Sequence, residues 1–248
     1  MLIQAADNPL VKELAALHDP AGRRAAAAFL VEGRRAIAGL LAAGWTPLRL
    51  CIREGEELPA DWPAAITLGE RAARRASAAS TPSGYLAAFA LPDPGPLDPA
   101  AGGLILAGVA DPGNLGTLLR TAAAFAVGQV ACLGGADPFG GKAVQASAGA
   151  IAAVRLFRPQ AWSDFRGGAS LTALVPRGGA APPLPAGRRW LVVGGEADGI
   201  PAEGLAVCSE RLSLPMPGGA VESLNAGVAG AIALWEVFGR AGAGAAPA

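Results

Sequence analysis

The chain has 248 residues, of which 52% are hydrophobic and 16% are charged. This balance lets the chain bury a sizeable core, which excludes a disordered protein, and the length suits one large domain or two modest ones. Twenty basic and twenty acidic residues cancel, which excludes a strongly basic coat protein for nucleic acid but leaves room for a local basic patch. Only Lys12 and Lys142 are lysines, so arginine, the better bidentate partner of phosphate, carries nearly all the positive charge.

The cysteines, the single histidine and the N-terminal segment exclude further classes. Cys51, Cys132 and Cys208 are far apart, and His18 is the one imidazole of the chain. These counts predict neither a zinc site nor a disulfide scaffold and fit a reduced cytoplasm. The N-terminus lacks the basic start and apolar core of a signal peptide, and no uninterrupted apolar run is long enough for a membrane helix. We therefore expect a cytoplasmic protein without a metal or a membrane segment.

A proline- and glycine-rich stretch at residues 92–102 is the predicted linker between two domains. The first domain spans residues 1–91 and the second residues 103–240, while residues 241–248 are expected to form a frayed tail. Apolar periodicity before the linker predicts two helices and three short strands. The helices are expected at residues 9–17 and 33–43, and the strands at residues 28–31, 48–52 and 85–90.

After the linker, strands alternate with helices. GLILAGV, QVACLG, AVRLF, SLTALV, RWLVVGG and RLSLP are the predicted strands. The predicted helices are LGTLLRTAAAFAV, residues 142–150, a segment around Trp162, and residues 222–240. This alternation predicts an α/β domain with a mostly parallel sheet, which binds ligands beyond the carboxyl ends of its strands. The informative loops should therefore follow Val109, Val193 and Leu214.

The first of these loops leads into a helix that carries one arginine. Asn114 is placed to cap that helix, and Gly113 and Gly116 allow a backbone or a phosphate to approach closely. Arg120 lies among leucines and alanines and needs a partner. A solvated or salt-bridged arginine is the ordinary interpretation, but the position after a buried strand favours anion binding.

The second and third loops also carry polar residues. Glu196 follows a buried strand and is ringed by glycines, which fits either a ligand crevice or an ordinary turn. In the third loop, Ser223 and Asn225 fall at the predicted start of the last helix, where capping explains one of them but not both. Met216, in the same loop, is interpreted as a packing side chain.

The sequence does not match several familiar motifs for ligand binding and catalysis. GADPFGGK lacks the glycine at position 136 and the serine or threonine at position 143 that a phosphate-binding P-loop requires. No GxGxxG follows a predicted strand, which excludes a dinucleotide-binding Rossmann site. His18 is interpreted as a surface residue at a helix end, so a Ser-His-Asp or Cys-His set would need it from the other domain.

Three separated segments, NLGTLLRTA, GGEADGIP and LPMPGGAVESLNAGVAGA, resemble in order and spacing the signature motifs of the SpoU (TrmH-like) family of RNA ribose 2′-O-methyltransferases, within the SPOUT superfamily. The resemblance covers residues 103–240. The N-terminal stretch is similar to the substrate-binding domain of many members, a small α/β unit that resembles RNA-binding ribosomal proteins. The resemblance implies a deep trefoil knot in the second domain, a homodimer, and S-adenosylmethionine as the cofactor.

The resemblance also assigns residues to the site. Its catalytic set falls on Asn114, Arg120, Glu196, Ser223 and Asn225. Its cofactor-binding set falls on Gly194, Gly195, Leu214, Met216, Gly219, Leu224 and Asn225. Arg120 would bind the ribose hydroxyl and the adjacent phosphate and stabilise the alkoxide, and Glu196 would orient Arg120 or Asn114. The segment PMPGGAVESLN is one residue longer than the form expected between the proline and Ser-Leu-Asn.

Residues 1–53 contain seven basic and four acidic residues. Scattered arginines usually mark a solvated face, but beside an RNA-modifying domain the excess favours RNA contact. The expected RNA-binding residues are Lys12, Arg23, Arg24, Arg34, Arg35 and Arg120. Ribosomal RNA is the expected substrate. A transfer-RNA enzyme and a noncatalytic RNA-binding or ribosome assembly factor are the alternatives, and the intact polar set weighs against the latter.

Overall fold

The computed structural model describes residues 1–79, 81–159, 161–184, 187–218 and 222–240. The chain divides into two compact units. The first consists of Met1–Asp93 and Phe139–Ala152, and the second of Pro94–Pro138 and Ala153–Ala248. Residues 139–152, which the sequence places in the second domain, therefore belong to the first unit. The predicted tail at residues 241–248 lies outside the described residues.

Eleven strands and eight α-helices are found in the described part of the chain. The strands are β1 (Leu2–Ile3), β2 (Ala28–Glu32), β3 (Arg49–Arg53), β4 (Ile66–Leu68), β5 (Tyr85–Ala90), β6 (Gly103–Ala107), β7 (Gln129–Leu133), β8 (Arg155–Phe157), β9 (Ser170–Leu174), β10 (Arg189–Gly194) and β11 (Glu210–Leu212). The helices are α1 (Pro9–Ala16), α2 (Pro20–Ala26), α3 (Arg34–Ala42), α4 (Glu70–Ala76), α5 (Pro112–Ala124), α6 (Gly141–Ser147), α7 (Ala202–Val207) and α8 (Ala226–Leu234).

The first unit is a five-stranded sheet in the order β1-β4-β3-β5-β2, with β5 antiparallel to both of its neighbours. The predicted helices and strands of this unit are present, in α1, α3, β2, β3 and β5. The sequence did not predict β1, β4, α2 or α4, because strands of two or three residues and helices of seven carry too little periodicity. Helices α1 and α4 pack together over the core residues of one face.

An aromatic cluster explains why residues 139–152 belong to the first unit. The ring of Phe139 lies 5.1 Å from the ring of Phe29 on β2, and Phe29 also contacts Phe89 and Trp45. Helix α6, which begins two residues after Phe139, packs against β2. Burial of apolar side chains thus outweighs the position of this segment in the sequence.

His18 follows the end of α1, as expected, but it is half-buried rather than a free surface residue. Its Nε2 lies 2.8 Å from the carbonyl oxygen of Ala76, the last residue of α4. The imidazole therefore joins the ends of α1 and α4 and has a structural role in the first unit.

The second unit is a six-stranded sheet in the order β11-β9-β10-β6-β7-β8. All of its pairs are parallel, which confirms the predicted parallel α/β domain. Strands β10 and β6 are central neighbours, with Gly194 level with Ala107. The loops that follow these two strands therefore lie side by side at one edge of the sheet.

Two predicted helices of this unit differ from the structure. The segment around Trp162 is a single 3-10 turn, Trp162–Phe165. The last helix, expected from residue 222, begins at Ala226 because Asn225 is its N-cap and accepts a hydrogen bond from the N–H of Val228. Ser223 and Leu224 consequently remain in the loop before the helix. Among the described residues, no helix is long and apolar enough to cross a membrane.

Candidate active site

The loop after β6 enters α5 through a cap that the sequence assigned to the wrong residue. Asp111, not Asn114, caps this helix, since its Oδ1 accepts a hydrogen bond from the N–H of Asn114 over 2.8 Å. Pro112 takes the first helical position, where its missing N–H costs nothing. Asn114 then lies inside the first turn, and its side chain is available for a contact beyond the helix.

That contact is with the second loop. Nδ2 of Asn114 donates to Oε1 of Glu196 over 2.6 Å, and the N–H of Ala110 donates to Oε2 of the same carboxylate over 3.2 Å. One carboxylate therefore ties the loop after β10 to the loop and the helix after β6. Of the two orienting roles expected for Glu196, the one toward Asn114 is present in the structure, whereas Arg120 makes no hydrogen bond or ion pair with Glu196.

Glu196 is an anion at neutral pH. Its slight burial alone would raise the pKa of the carboxyl group. The hydrogen bonds from Asn114 and from backbone N–H groups, Ala110 among them, outweigh this effect and lower the pKa below its usual value. A carboxylate with a lowered pKa is a weak proton acceptor, so this geometry suits orientation rather than base catalysis.

The third loop meets the first at the start of α8. A Cβ atom built on Gly227 would lie 2.8 Å from Oδ1 of Asn114 and 3.2 Å from Oδ1 of Asn225. Both asparagine side chains therefore lie close to Gly227, and this position has no room for a larger residue. Asn225 caps α8, and its Oδ1 is close to the same glycine as Oδ1 of Asn114, so the third loop comes near the start of α5.

A cavity of about 640 Å³ opens at this edge of the sheet. It is within the size range of cofactor pockets, and most of its walls are apolar. Eight of the predicted site residues line it: Gly194, Gly195, Glu196, Leu214, Met216, Ser223, Leu224 and Asn225. Gly219 lies outside the described residues.

The cavity also has lining residues that the sequence reasoning missed. Leu174 ends β9, Val175 and Pro176 follow it, and Asp198, Ile200 and Leu205 belong to the segment after β10. The residues at the end of β9 could have been predicted from the sequence. Strand β9 is also part of the parallel sheet and neighbours β10, so its carboxyl end lies at the same edge. The side wall at Leu205 depends on α7, a six-residue helix with too little periodicity to be recognised.

Two of the predicted catalytic residues, Arg120 and Ser223, make no side-chain hydrogen bond with the described residues. Arg120 is exposed on α5, has no hydrogen-bond or ion-pair partner among the described residues, and is not part of the cavity wall. Ser223 lines the cavity, and its side chain likewise has no hydrogen bond within the described part of the chain. Both remain available for a bound molecule.

The cysteines are free thiols and are not nucleophiles at neutral pH. Burial raises the pKa of Cys51 to about 11 and that of Cys208 to about 11, with nearby arginines opposing the shift in each case. Burial also raises the pKa of Cys132 to about 12. Within the described ranges there is no group of three or more His, Cys, Asp or Glu side chains that could hold a metal ion.

The expected RNA-binding residues of the first unit divide into two groups. Lys12, Arg24, Arg34 and Arg35 are exposed. Arg23 is only 4% exposed, and its Nη1 donates to the carbonyl oxygens of Leu17 and His18, over 2.8 and 3.0 Å. Arg23 therefore satisfies carbonyl groups at the end of α1, and its assignment as an RNA contact is corrected to a structural role.

Comparisons with known proteins find matching families for both parts of the chain. Residues 103–235 match the SpoU rRNA Methylase family, and residues 8–87 match the MRM3-like substrate binding domain. The 23S rRNA (guanosine(2553)-2'-O)-methyltransferase RlmP of Bacillus subtilis (strain 168) is 30% identical over 247 residues, which cover 96% of this chain and 99% of the relative.

Solved structures agree as well. A TrmH-family protein from Porphyromonas gingivalis superposes with a TM-score of 0.78 at 32% identity, covering 95% of this chain and 99% of the other. The SpoU methyltransferase AviRb from Streptomyces viridochromogenes, solved in complex with AdoMet, has a TM-score of 0.80 at 23% identity and covers 94% and 98% of the two chains. This second likeness shows a shared fold.

A parallel sheet with a cavity at the carboxyl ends of its strands, in a fold shared with these structures, defines a methyltransferase of the SPOUT class. The chain belongs to the SpoU rRNA methylase family. The resemblance predicted from the three sequence motifs is thereby confirmed.

Proposed function

We propose that this protein transfers a methyl group from S-adenosylmethionine to a ribose 2′-hydroxyl of ribosomal RNA. The observation that carries the proposal is that Glu196 and Asn225, from two separate loops, line the cavity, while Asn114 of α5 donates a hydrogen bond to Glu196. The name of the Bacillus subtilis relative, a 23S rRNA 2'-O-methyltransferase, supports ribosomal RNA over transfer RNA.

The cavity fits the cofactor. Its apolar side chains suit a purine ring, and its exposed backbone and carboxylates suit ribose hydroxyls and a cationic sulfonium. The residues proposed to hold the cofactor are Gly194, Gly195, Leu214, Met216, Leu224 and Asn225, with Gly219 added from the sequence. When bound, the cofactor supplies the electrophilic methyl group.

The glycines of the second loop let the backbone come close to the cavity. A Cβ atom on Gly195 would lie 2.4 Å from the carbonyl oxygen of Gly108, and one on Gly194 would lie 2.3 Å from the carbonyl carbon of Gly199. Neither position accepts a side chain without moving the loop. The close packing of these backbones therefore holds the cavity wall in place.

The protein side of the chemistry is alignment and charge stabilisation. Glu196 stays ionised and orients Asn114. Arg120 contacts the ribose hydroxyl and its phosphate and stabilises the developing alkoxide. A guanidinium is a poor base, so its contribution is electrostatic. Ser223 and Asn225 hold the ribose and the third loop by hydrogen bonds. Because Arg120 is outside the cavity wall, the RNA must lie over the exposed face of α5.

The proposal includes a homodimer and a knotted second unit. Helix α8 is apolar all round, and it leaves Val228 and Ile232 at least 40% exposed, as is Trp235 directly after its end, which is typical of a helix that packs against a partner. A second copy of the chain is the expected partner. After the edge strand β11, the chain returns to α8, which packs on α5 and on β10 in the middle of the sheet. This return supports the deep trefoil knot.

The first unit is proposed to bind the RNA substrate, and its likeness to RNA-binding ribosomal proteins belongs to the same proposal. Lys12, Arg24, Arg34 and Arg35 are exposed for this purpose. The functional division remains a substrate-binding domain at residues 1–91, a linker at 92–102 and a methyltransferase domain at 103–240, even though residues 139–152 pack with the first unit. A cytoplasmic location follows from the substrate.

A methyl-transfer experiment tests the proposal. The protein is incubated with radiolabelled S-adenosylmethionine and with separate pools of ribosomal and transfer RNA, and the label is mapped by the resistance of the modified linkage to alkali. Label in ribosomal RNA at an alkali-resistant linkage is the expected result. Label in the transfer-RNA pool would identify a transfer-RNA enzyme instead. Cofactor binding without transfer to either pool would favour a noncatalytic assembly factor.

A further inference from the structure

Two carboxylates, Glu196 and Asp198, line the cofactor cavity, and they differ in their partners. Both oxygens of Glu196 accept hydrogen bonds, one from Asn114 and the other from the N–H of Ala110. Asp198 is exposed, and its side chain has no hydrogen-bond or ion-pair partner among the described residues. Asp198 is therefore the carboxylate that is available to a bound molecule.

A closed turn holds Asp198 at the cavity. Gly195 and Gly199 exchange two backbone hydrogen bonds, over 3.2 Å from the N–H of Gly195 and over 3.0 Å from the N–H of Gly199. The N–H of Gly195 also donates to the carbonyl oxygen of Ala107 over 2.9 Å, which ties the turn to the end of β6. Gly199 has a φ of 65°, a conformation that favours glycine. The backbone of residues 196–198 is thus fixed at both ends.

The cavity wall carries negative charge. Of the wall residues that the structure describes, two are carboxylates and none is a lysine, an arginine or a histidine. Arg177 directly follows the wall residue Pro176, but it is not part of the wall and makes no ion pair with Asp198. No basic side chain of the described wall offsets the two carboxylates, so Coulomb attraction favours a ligand with a positive charge.

The cofactor and its product differ by one positive charge. In methyl transfer, the bond from carbon to sulfur breaks and its electron pair stays on sulfur, a bond from carbon to the ribose oxygen forms, and the hydroxyl proton is released. The product, S-adenosylhomocysteine, has a neutral thioether and keeps the adenosine, the α-ammonium group and the α-carboxylate. An unpaired carboxylate in the wall therefore attracts the cofactor more strongly than the product.

We propose that Asp198 is a specificity-determining residue, which makes the cavity prefer S-adenosylmethionine over S-adenosylhomocysteine and so favours release of the product after each transfer. The inference rests on the proposed function, because methyl transfer is the step that removes the charge. It separates the two carboxylates of the wall: Glu196 orients Asn114, whereas Asp198 discriminates between ligands by their charge.

The test compares the Kd values of the full-length chain for three ligands by isothermal titration calorimetry. The ligands are S-adenosylmethionine, S-adenosylhomocysteine and sinefungin, an analogue in which a protonated amine supplies the positive charge of the sulfonium. The wild type should bind the two cationic ligands more tightly than the product. We expect Asp198→Asn to raise the Kd for both cationic ligands by about fivefold, the upper range for a charge pair at an exposed site, and to change that for the product by less than about twofold.

Two matched variants separate the charge of Asp198 from other effects. Asp198→Glu keeps the negative charge and should keep the preference for the cofactor. Glu203→Gln removes an exposed carboxylate of the same unit that lies outside the cavity wall, so all three Kd values should stay at the wild-type level. Far-ultraviolet circular dichroism and the retained affinity for S-adenosylhomocysteine check that each variant is folded.

Ionic strength gives a second measurement on the same proteins. Because salt screens an exposed charge pair, added salt should weaken the binding of S-adenosylmethionine to the wild type more than the binding of S-adenosylhomocysteine. This difference should be smaller in Asp198→Asn. In the steady state, inhibition by S-adenosylhomocysteine, measured as its inhibition constant relative to KM for the cofactor, should be stronger in Asp198→Asn than in the wild type.

The outcomes distinguish this inference from the proposed function. Unchanged Kd values in Asp198→Asn would overturn the inference even if the wild type methylates RNA. An equal loss for cofactor and product would also overturn it, because Asp198 would then act on the α-ammonium group that both ligands share. A wild type that prefers the cofactor through Asp198 and transfers no label to RNA would leave the inference standing and remove the proposed activity. A wild type that binds none of the ligands would overturn both.

Discussion

Asn114 on α5 donates a 2.6 Å hydrogen bond to Glu196 in the loop after β10, and so joins this helix to a loop 82 residues further along the chain. A second hydrogen bond, from the N–H of Ala110, holds the other carboxylate oxygen. A ligand in the neighbouring cavity would therefore meet a polar edge whose geometry depends on this pair. The chemical consequence is alignment, because the lowered pKa of Glu196 makes it a poor proton acceptor.

A double-mutant cycle tests whether Asn114 and Glu196 act as one unit. We expect Asn114→Ala and Glu196→Gln each to lower kcat/KM for RNA methylation by about 10²-fold, because misplacement of an aligned group costs about this much. The double variant should lose little more than either single variant. Glu203→Gln, an exposed carboxylate on α7, is the control and should behave as the wild type. Losses that multiply would show two independent roles.

Arg120 should be needed for chemistry and not for cofactor binding. Arg120→Ala removes the group proposed to stabilise the alkoxide, so we expect kcat to fall by about 10²–10³-fold or more, while the Kd for S-adenosylmethionine stays unchanged. Calorimetric titration and a single-turnover assay measure the two quantities. Arg166→Ala, which removes another exposed arginine of the same unit, is the matched control. A loss of cofactor binding in Arg120→Ala would refute this role.

The charge of Glu196 should make a stabilising contribution that depends on pH. Its folded-state pKa is lowered, so its contribution is present above the unfolded-state pKa and is lost as the pH falls through the folded-state value. The unfolding free energy of the wild type should exceed that of Glu196→Gln at pH 7, and the difference should vanish well below the ordinary glutamate pKa of about 4.3. Urea titrations across this range measure it. A difference that grows on acidification would contradict the assignment.

Gly230 should be required for the contact between α8 and α5. A Cβ atom at this position would lie 2.4 Å from Cδ2 of Leu118, a fully buried side chain on α5. We expect Gly230→Ala to lower the unfolding free energy by about 1–3 kcal/mol, because overpacking forces neighbouring side chains to shift. Gly128→Ala, where a Cβ atom meets nothing within 4 Å, is the control. Equal values of Tm for the two variants would show that α8 can move away without cost.

The exposed face of α8 should hold the proposed dimer together. Val228→Asp and Ile232→Asp place a charge at positions that are 50% and 40% exposed in a single chain, so the fold of the monomer should tolerate them. Sedimentation velocity should show a dimer for the wild type and a monomer for these variants. Leu48→Asp changes an equally exposed leucine of the first unit and should leave the dimer intact. If Ile232→Asp is still a dimer, the dimer interface does not include this face of α8.

Several parts of the molecule could be predicted from local sequence. The parallel sheet follows from short apolar runs that alternate with helical periodicity, and the positions of Glu196 and Asn225 follow from their places after strands. The prediction was wrong for the N-cap of α5, where two nearby residues are both suited to the position. Asp111 and Asn114 can both cap a helix, and the cap went to Asp111 because Pro112 begins the helix directly after it.

The sequence by itself determined the class of the second unit, the three loops that carry polar residues, and the family, because these depend on periodicity and on motifs within short segments. Only the tertiary structure decided what meets across the chain: Asn114 with Glu196, Phe139 with Phe29, and Glu32 with Ser77. It also decided that Arg23 is buried while Arg34 and Arg35 are exposed. The reason is that burial and long-range hydrogen bonds depend on the packing of distant elements, which one local pattern does not specify.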